Sequence, residues 1–403
     1  MIKLLTVLLL VMINTGCRDS KKENNSQNAL QQVPSPANTA SAQPNLFTDA
    51  NGLVYLSWIQ RQKDKSELKF SILNNGHWSE PGTITSGNDW FVNWADFPML
   101  AANGDNLLAH ILQKSAGGTF TYDVKLVTSA DDGKTWSDLK NLHSDGKKAE
   151  HGFVSLLPYG DQFFVSWLDG RNTVNESSNT AAHHSGEHGG AMTLRGAVVT
   201  PQGIKTAEWE LDNKVCDCCQ TTAALTANGP VVVYRDRSNE EIRDMSIVRF
   251  VDGTWTAPQI IHPDGWKIGG CPVNGPRSAA IGNVLAIAWF TSANELPQVN
   301  LIFSEDGGAT FGKLIRIAEK NTIGRVDVVM LDDKTALVSW MEGSVIKAAK
   351  VHRDGIKEQP VTIGASSESR SSGFPQMTKS GNNIFFAWTD DKEKTIKVAR
   401  LTL

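Results

Sequence analysis

Short apolar segments that alternate with polar residues recur along the chain from Leu46 to its end. Segments such as VYLSWIQ (54–60) and FFVSWLD (163–169) are rich in β-branched and aromatic residues. A two-residue period with this composition is typical of β-strands. A second strand-like segment follows each one, so every unit holds at least two strands. The marker position of the first segment recurs 48 to 67 residues apart, at Trp58, Ile111, Trp167, Tyr234, Trp289, Trp340 and Trp388.

A period of about 50 residues that holds four short strands is typical of a β-propeller blade. Seven units are visible, and the seventh ends after its third strand at Leu403. A segment just before Leu46 would supply the missing strand and close the ring, which removes a free sheet edge. The sequence therefore predicts an all-β propeller over residues 45–403. Seven blades are favoured, with six as the alternative if one unit is divergent.

Two units carry a turn signature between their third and fourth strands. The segments SADDGKTW (129–136) and SEDGGATF (304–311) fit the pattern Ser-x-Asp-x-Gly-x-Thr-Trp, with Phe for Trp in the second. In such a turn the Asp accepts backbone N–H groups, the Gly adopts a positive φ, and the aromatic side chain packs between strands. The signature resembles the Asp box, or BNR repeat, of the sialidase-like β-propeller superfamily, and the chain resembles a secreted lipoprotein branch of it. The resemblance implies that these boxes lie on the face away from any active site.

The catalytic residues of sialidases cannot be transferred to this chain. That family uses three arginines around the substrate carboxylate, a Tyr nucleophile assisted by Glu, an Asp acid/base and an N-terminal Arg-Ile-Pro motif. No Arg-Ile-Pro occurs here, and none of the four tyrosines lies in the last 169 residues, where the nucleophile would be expected. The tyrosines are Tyr55, Tyr122, Tyr159 and Tyr234.

The longest polar loops are predicted on one face of the propeller. Links from a fourth strand to the next first strand share a face with links from a second to a third strand, and here they include NDWFVNWADFP (88–98) and RDRSNEEIRD (235–244). Because functional loops cluster on one face of a rigid scaffold, we expect a polar pocket where this face meets the axis. Its predicted lining comprises Asp96, Asp169, Asp236, Asp327, Arg171, Arg195, Arg237, Arg243, Arg277, Arg325, His151 and Trp90.

Two functions fit this lining. Paired carboxylates can act on a glycosidic bond as acid and base or nucleophile, which makes Asp96, Asp169 and Asp236 the catalytic candidates. Arginine forks hold carboxylate or sulfate groups and indole rings stack on sugars. The first hypothesis is therefore an exo-acting glycosidase on acidic glycans, and the second is a non-catalytic surface module that binds glycan, protein or metal. In either case each ionic residue has a structural alternative, an ion pair that orders a loop. The substrate-binding candidates are Arg171, Arg237, Arg277, Arg325, His151 and Trp90.

The cysteines offer a further site. Cys216, Cys218, Cys219 and Cys271 fall in two loops predicted to be neighbours on the polar face. Disulfides are the default in an exported protein, but a thiolate site for Zn or Cu is the alternative, and free thiols are a third possibility. A His-rich tract with His183, His184 and His188 in the longest insertion is a flexible loop or an additional metal-binding segment.

The N-terminus predicts the location of the protein. Residues 1–17, MIKLLTVLLLVMINTGC, form a secretory signal that is shorter than a membrane span. Its end resembles a bacterial lipoprotein signal in which Cys17 becomes the lipidated first residue, although Asn14 departs from the usual aliphatic; an ordinary signal cut nearby is the alternative. Residues 18–44 are polar and aperiodic, which predicts a flexible tether. We expect an exported protein anchored through Cys17 to a bacterial membrane, the outer membrane, on its periplasmic or surface side.

Composition narrows the set of partners. The 39 Lys+Arg and 43 Asp+Glu give a net charge of −4, without the basic excess of nucleic-acid-binding proteins. We therefore expect no nucleic-acid partner, and instead a glycan or small anionic ligand bound by a monomer. Of the 12 tryptophans, the repeat accounts for most, and only Trp90, Trp94 and Trp266 fall in loops of the polar face.

Overall fold

The computed structural model of the protein describes residues 30–174 and 190–403. The predicted signal segment with Cys17 lies outside the described residues, as do residues 18–29 of the predicted tether. The tract with His183, His184 and His188 lies outside them as well. No helix among the described residues is both long and apolar enough to cross a membrane.

The described residues form seven antiparallel sheets of four to five strands each, so the predicted seven-bladed propeller is confirmed. Blades 1 and 2 use β2 (Ser41–Thr48), β3 (Val54–Arg61), β4 (Ser66–Asn74), β5 (His77–Trp78), β6 (Gly82–Gly87), β7 (Leu100–Asn103), β8 (Asn106–Lys114), β9 (Tyr122–Ser129) and β10 (Lys140–Asn141), which follow β1 (Leu30–Val33). Blades 3 and 4 use β11 (His151–Tyr159), β12 (Gln162–Asp169), β13 (Thr193–Val199), β14 (Lys205–Asp212), β15 (Thr222–Thr226), β16 (Gly229–Arg235), β17 (Met245–Val251), β18 (Thr254–Trp255) and β19 (Gln259–His262). Blades 5 to 7 use β20 (Arg277–Ile281), β21 (Val284–Thr291), β22 (Gln298–Ser304), β23 (Ile315–Glu319), β24 (Thr322–Met330), β25 (Thr335–Glu342), β26 (Val345–His352), β27 (Val361–Ala365), β28 (Gln376–Ser380), β29 (Asn383–Asp390) and β30 (Thr395–Thr402). Two single 3₁₀ turns, Ala293–Glu295 and Arg370–Ser372, complete the regular structure of the described residues.

The ring is closed by β1, which is the outer strand of blade 7. It pairs antiparallel with β30, so that Leu30 lies opposite Leu401 and Val33 opposite Val398. A segment before Leu46 therefore supplies the missing strand, as predicted. This pairing brings the first and the last described strand into one sheet, and β1 covers the edge that β30 would otherwise expose.

The predicted tether is wrong over residues 30–44, because this stretch contains β1 and the beginning of β2. The polar composition that suggested disorder has a structural reason. Asn45, near the middle of β2, uses its amide oxygen to accept a hydrogen bond from the backbone N–H of Leu100 in blade 2, at 3.1 Å. The inner strand thus satisfies its neighbour with polar groups, which leaves no apolar period to detect.

The marker residues form the core between blades. All seven lie on second strands and are at most 3% exposed. Trp340 of blade 6, for example, packs in one cluster with Phe290 of blade 5 and with Trp266, which lies in the loop before blade 5. Replacing a buried aromatic of this size by Ala costs about 3–5 kcal/mol, so the repeat encodes the blade-to-blade contacts that hold the ring together.

The Asp boxes form the predicted turns between third and fourth strands. Asp131 accepts bonds from the Thr135 N–H and hydroxyl at 2.9 and 2.7 Å, and Gly133 has a φ of 80°. Trp136 packs edge-on against Phe70 of blade 1, with ring centroids 5.7 Å apart. We call the face that carries these turns the lower face, and the opposite face, which carries the long polar loops, the upper face.

Candidate functional site

Several predicted acidic residues fasten adjacent blades together around the axis. Asp96 Oδ1 accepts a hydrogen bond from the Phe153 N–H at 2.8 Å. Asp327 Oδ2 accepts one from the Met377 N–H at 2.7 Å, in the same way as Asn45 does between blades 1 and 2. Both carboxyls are almost fully buried. Gly152 is required beside the first of them, since a Cβ there would lie 2.0 Å from Asp96 Oδ2.

The axis of the upper face is nearly closed. Asp96 and Arg277 line a common cavity there, but its volume is only about 10 Å³, close to the minimum for one water molecule. Trp94 stacks on Phe374 with ring centroids 5.5 Å apart and helps to fill the centre. This cavity is too small for a sugar ring, and the ligand-sized polar pocket that the sequence predicted at the axis stays a prediction.

The two arginines of the axis differ in how they are satisfied. Arg325 donates to the Ser372 hydroxyl at 2.5 Å and to the carbonyls of Glu368 and Ser369 at 3.0 and 2.9 Å. Arg277 instead lies over the Phe97 ring at 5.5 Å, and its Nη2 is buried without a hydrogen-bond partner in the described part of the chain. Burial lowers the pKa of both guanidinium groups, that of Arg325 to about 10. Arg277 is thus the axial cation with hydrogen-bonding capacity to spare.

Beside the axis, Tyr122 links two acidic residues from different loops. Its hydroxyl lies 2.7 Å from Glu150 Oε1 and 3.3 Å from Asp96 Oδ2. Tyr122 begins β9 and is fully buried, whereas Glu150, just before β11, is partly exposed. We call these three residues the tyrosine–carboxyl cluster. It places the carboxyl of a half-buried residue, Glu150, at the end of a buried hydrogen-bonded chain.

The carboxyl groups of this cluster are difficult to ionise. Burial raises the pKa of Asp96 to about 7, against hydrogen bonds from Phe153 and Tyr122 that lower it. Burial also raises the pKa of Glu150 to about 8, and the charges of Asp96, Asp217 and Cys271 add to the rise. One phenolic proton cannot serve two carboxylates at once, so a protonated carboxyl completes the chain. The cluster therefore retains a transferable proton at neutral pH.

Asp169, His151 and Arg171 form a separate ion-pair network between blades 2 and 3. Arg171 binds Asp169 through two bonds of 2.8 and 2.6 Å, and the Trp167 indole donates to the same carboxylate at 2.9 Å. His151 lies stacked on His143 with ring centroids 3.6 Å apart. Although Asp169 is deeply buried, these bonds lower its pKa. The network resembles the structural alternative, an ion pair that orders a loop, more than an acid/base pair.

Asp145 connects the two histidines of that network. Its Oδ2 lies 2.7 Å from His143 Nδ1 and 3.3 Å from His151 Nε2. Burial alone would raise the pKa of Asp145, but the two imidazoles lower it well below its usual range. Asp145 therefore stays ionised and holds both rings in place.

The charged side chains of the loop between β16 and β17 also have partners within the protein. Arg237 pairs with Glu241 at 2.8 Å and with Asp217 at 3.2 Å, and Arg243 pairs with Glu241 at 2.8 Å. Asp236 accepts bonds from the Arg237 N–H and from the Ser246 hydroxyl, and burial raises its pKa. Arg195 is likewise paired, with Glu208 at 3.0 Å.

The predicted sugar platform at Trp90 is wrong, because this side chain belongs to the core. It is 8% exposed and packs in the cluster around Tyr55 and Leu100. A Cβ at position 87 would lie 2.3 Å from its indole nitrogen, so Gly87 makes room for the ring. Of the two other loop tryptophans, Trp266 is also buried and Trp94 is covered on one side by Phe374.

The four cysteines of the upper face lie in two neighbouring inter-blade loops. Cys216 Sγ lies 3.7 Å from Cys219 Sγ and 3.9 Å from Cys218 Sγ, and the side chain of Cys271, from the next inter-blade loop, interacts with Cys218. We call them the thiol cluster. A disulfide requires about 2.05 Å between sulfurs, and all four residues are free thiols in the structure. The predicted proximity of the two cysteine loops is thus confirmed, whereas the predicted disulfides are not formed.

The sequence analysis did not identify the tyrosine–carboxyl cluster. Tyr122 entered only as a tyrosine too early in the chain to match a sialidase nucleophile, and Glu150 was passed over beside His151. The signal that was present is position: both residues lie at upper ends of blade strands, where inter-blade loops converge. The sequence analysis did not identify His143 and Asp145 either.

The architecture is shared with solved structures of other proteins. A polysaccharide lyase, Uly1, is similar over 90% of this chain and 90% of its own, with a TM-score of 0.54 and 8% identity. An α-L-arabinofuranosidase, Arb93A from Fusarium graminearum, is similar over 93% of this chain and 97% of its own, with a TM-score of 0.50 and 12% identity. The sialidase Hz136 is similar over 81% of this chain and 68% of its own, with a TM-score of 0.43 and 12% identity. Neither a protein-family model nor a curated protein sequence matches the chain. At these identities the likeness concerns the fold alone: the chain is a seven-bladed β-propeller.

Proposed function

We propose that this protein is a glycan-active enzyme that cleaves acidic glycans at its upper face, with Glu150 as the general acid. The observation that carries the proposal is the hydrogen-bonded chain of Glu150, Tyr122 and Asp96. A general acid must hold its proton near the working pH. The pKa of Glu150, raised to about 8, meets that requirement. Asp96, one of the catalytic candidates from the sequence, acts in this proposal as the second carboxyl behind the tyrosine.

Recognition of an acidic sugar requires a cation that is not already neutralised. Arg171 and Arg237 are paired with carboxylates, whereas Arg277 has a buried nitrogen without a partner in the described part of the chain. Arg277 is therefore the proposed attraction for the substrate anion; because its unpartnered nitrogen is buried and Asp327 is its charged neighbour, the attraction is electrostatic rather than a direct hydrogen bond. A sugar ring does not fit the axial cavity of about 10 Å³, so the substrate would meet the partly exposed Glu150 from the solvent side.

The test is turnover of sialosides and uronic-acid glycosides by the full chain between pH 4 and 9. Replacing Glu150 by Gln keeps the shape of the side chain but removes its proton, and we expect kcat to fall by about 10²- to 10⁴-fold. Glu80→Gln, at an exposed glutamate outside the cluster, is the matched control and should retain full activity. Turnover by E150Q at the unaltered rate would contradict the assignment, and no turnover of any member of the series would contradict the enzymatic function.

A second candidate function, a non-catalytic surface module that binds metal, is favoured by the thiol cluster. It is compatible with the same fold. Binding of metal without turnover of any glycan in the series above would favour this function over the first.

A further inference from the structure

The thiol cluster joins two consecutive inter-blade loops. Cys216, Cys218 and Cys219 precede β15, the inner strand of blade 4, and Cys271 precedes β20, the inner strand of blade 5. Cys216 and Cys219 are buried, Cys218 is half-buried and Cys271 is exposed. Three sulfurs thus come from one tight loop, and Cys271 lies in the next inter-blade loop, where its side chain interacts with Cys218.

The spacing of the sulfurs matches that of a metal thiolate site. With a Zn–S bond of about 2.3 Å, tetrahedral geometry places sulfurs about 3.8 Å apart. The observed separations from Cys216 Sγ are 3.7 Å to Cys219 Sγ and 3.9 Å to Cys218 Sγ. The three sulfurs of the first loop all lie within 4.8 Å of one another.

Arginine side chains border the thiol cluster and are fixed by contacts of their own. Arg243 Nη1 donates to Cys216 Sγ at 3.2 Å, and its other terminal nitrogen binds Glu241 at 2.8 Å, which fixes the guanidinium in place. Arg235, fully buried, stacks on Trp266 at 4.8 Å, and its backbone carbonyl accepts a hydrogen bond from the Cys216 N–H at 3.0 Å. Outer hydrogen-bond donors of this kind orient metal ligands and balance their charge.

From this geometry we propose that Cys216, Cys218, Cys219 and Cys271 bind one thiophilic d¹⁰ cation, Zn²⁺ or Cu⁺. Soft thiolate ligands select these ions over Mg²⁺, Ca²⁺ and Mn²⁺, which prefer oxygen. The site is independent of the proposed glycan chemistry, because it requires neither Glu150 nor Arg277. It ties the loops that enter blades 4 and 5 to each other on the upper face.

The test uses the full chain purified under anaerobic conditions without a metal-binding tag. Elemental analysis should find one Zn²⁺ or Cu⁺ per chain, and its identity separates the two ions. The zinc form should exchange to a Co²⁺ form with the visible absorption bands of a tetrahedral thiolate site, whereas the Cu⁺ form should lose its metal to a Cu⁺-specific chelator. Cysteine reagents should titrate four more thiols after the metal is removed.

Variants separate ligand loss from misfolding. Cys271→Ser changes an exposed side chain, so the fold measured by circular dichroism should persist while the bound metal is lost or held at least 10-fold more weakly. Arg243→Gln should keep the one-to-one stoichiometry and weaken binding by about 10- to 100-fold. Gly269→Ser, an exposed change in the loop of Cys271 whose Cβ would meet nothing within 4 Å, is the control and should keep the metal. A reduced chain that binds neither Zn²⁺ nor Cu⁺, or exported protein whose mass shows these cysteines joined in disulfides, would overturn the proposal.

Discussion

At the scale of the residue, two aspartates that make the same inter-blade hydrogen bond differ in their other contacts. Asp96 and Asp327 both bind a backbone N–H of the next blade. Only Asp96 also faces a tyrosine hydroxyl, which connects it to the partly exposed Glu150. Burial alone therefore does not make a buried aspartate functional. Its second partner decides whether it fastens blades or takes part in a proton-transfer chain.

The raised pKa of Asp96 predicts a pH dependence of stability. Its pKa is about 7 in the folded protein, whereas the ordinary value of an aspartate is 3.8. Between these values the folded protein holds a proton that the unfolded chain releases, so the free energy of unfolding falls as the pH rises from about 4 to about 7. Asp96→Asn should keep the bond from Phe153 and make this decline shallower, with Glu150 supplying the remainder. Urea unfolding at pH 5 and pH 7 measures it.

The control for this prediction is Asp64→Asn, which makes the same change in charge at an exposed site. It should leave the difference between the two pH values as in the wild-type chain. A D96N protein with the wild-type difference would show that the carboxyl of Asp96 ionises normally in the folded state.

At the scale of the element, the Asp-box turns depend on one glycine each. Gly308 has a φ of 88°, and a Cβ there would lie 2.6 Å from Ile247 Cδ1 of blade 4. Gly308→Ala should lower the free energy of unfolding by about 1–2 kcal/mol for the left-handed backbone, with the contact adding to it. Gly312→Ala is the matched control, since its Cβ would meet only the Phe303 carbonyl at 3.5 Å. Equal unfolding midpoints for the two variants in urea would contradict this account of the turn.

Strands differed in how well the sequence predicted them. Second and third strands are buried against neighbouring blades, so their apolar period and marker tryptophans were visible. The closing strand β1 was expected only as an unplaced segment before Leu46, and the beginning of β2 was assigned to the tether. Asn45 of β2 satisfies the next blade with a polar group, and β1 is an edge strand with only partial burial. The tyrosine–carboxyl cluster was missed because Tyr122 and Glu150 lie 28 residues apart, in loops whose convergence only the three-dimensional packing decides.

At the scale of the whole molecule, the propeller is a ring of seven blades, and its first and last described strands meet in blade 7. The Thr48 and Thr378 hydroxyls, 2.7 Å apart, connect blade 1 to blade 7. The pairing of β1 with β30 then closes blade 7 itself. Leu30 packs in the core between blades 6 and 7, and Val33 in the core between blades 7 and 1. One short strand thus contacts both interfaces at which the ring ends meet.

Removal of this strand should weaken the ring and expose an adhesive edge. A chain that begins at residue 34 would leave the outer edge of β30 unpaired at Val398–Leu401, and an open strand edge pairs readily with other chains. Compared with a chain that begins at residue 30, we expect a lower Tm and association that increases with concentration, measured by calorimetry and light scattering. A synthetic peptide of residues 30–40 should bind the edge and raise the Tm of the shortened chain as its concentration increases, whereas a scrambled peptide should not. If both chains melt at one temperature and stay monomeric, β1 does not stabilise the ring, and the contacts between the seven blades hold it without this strand.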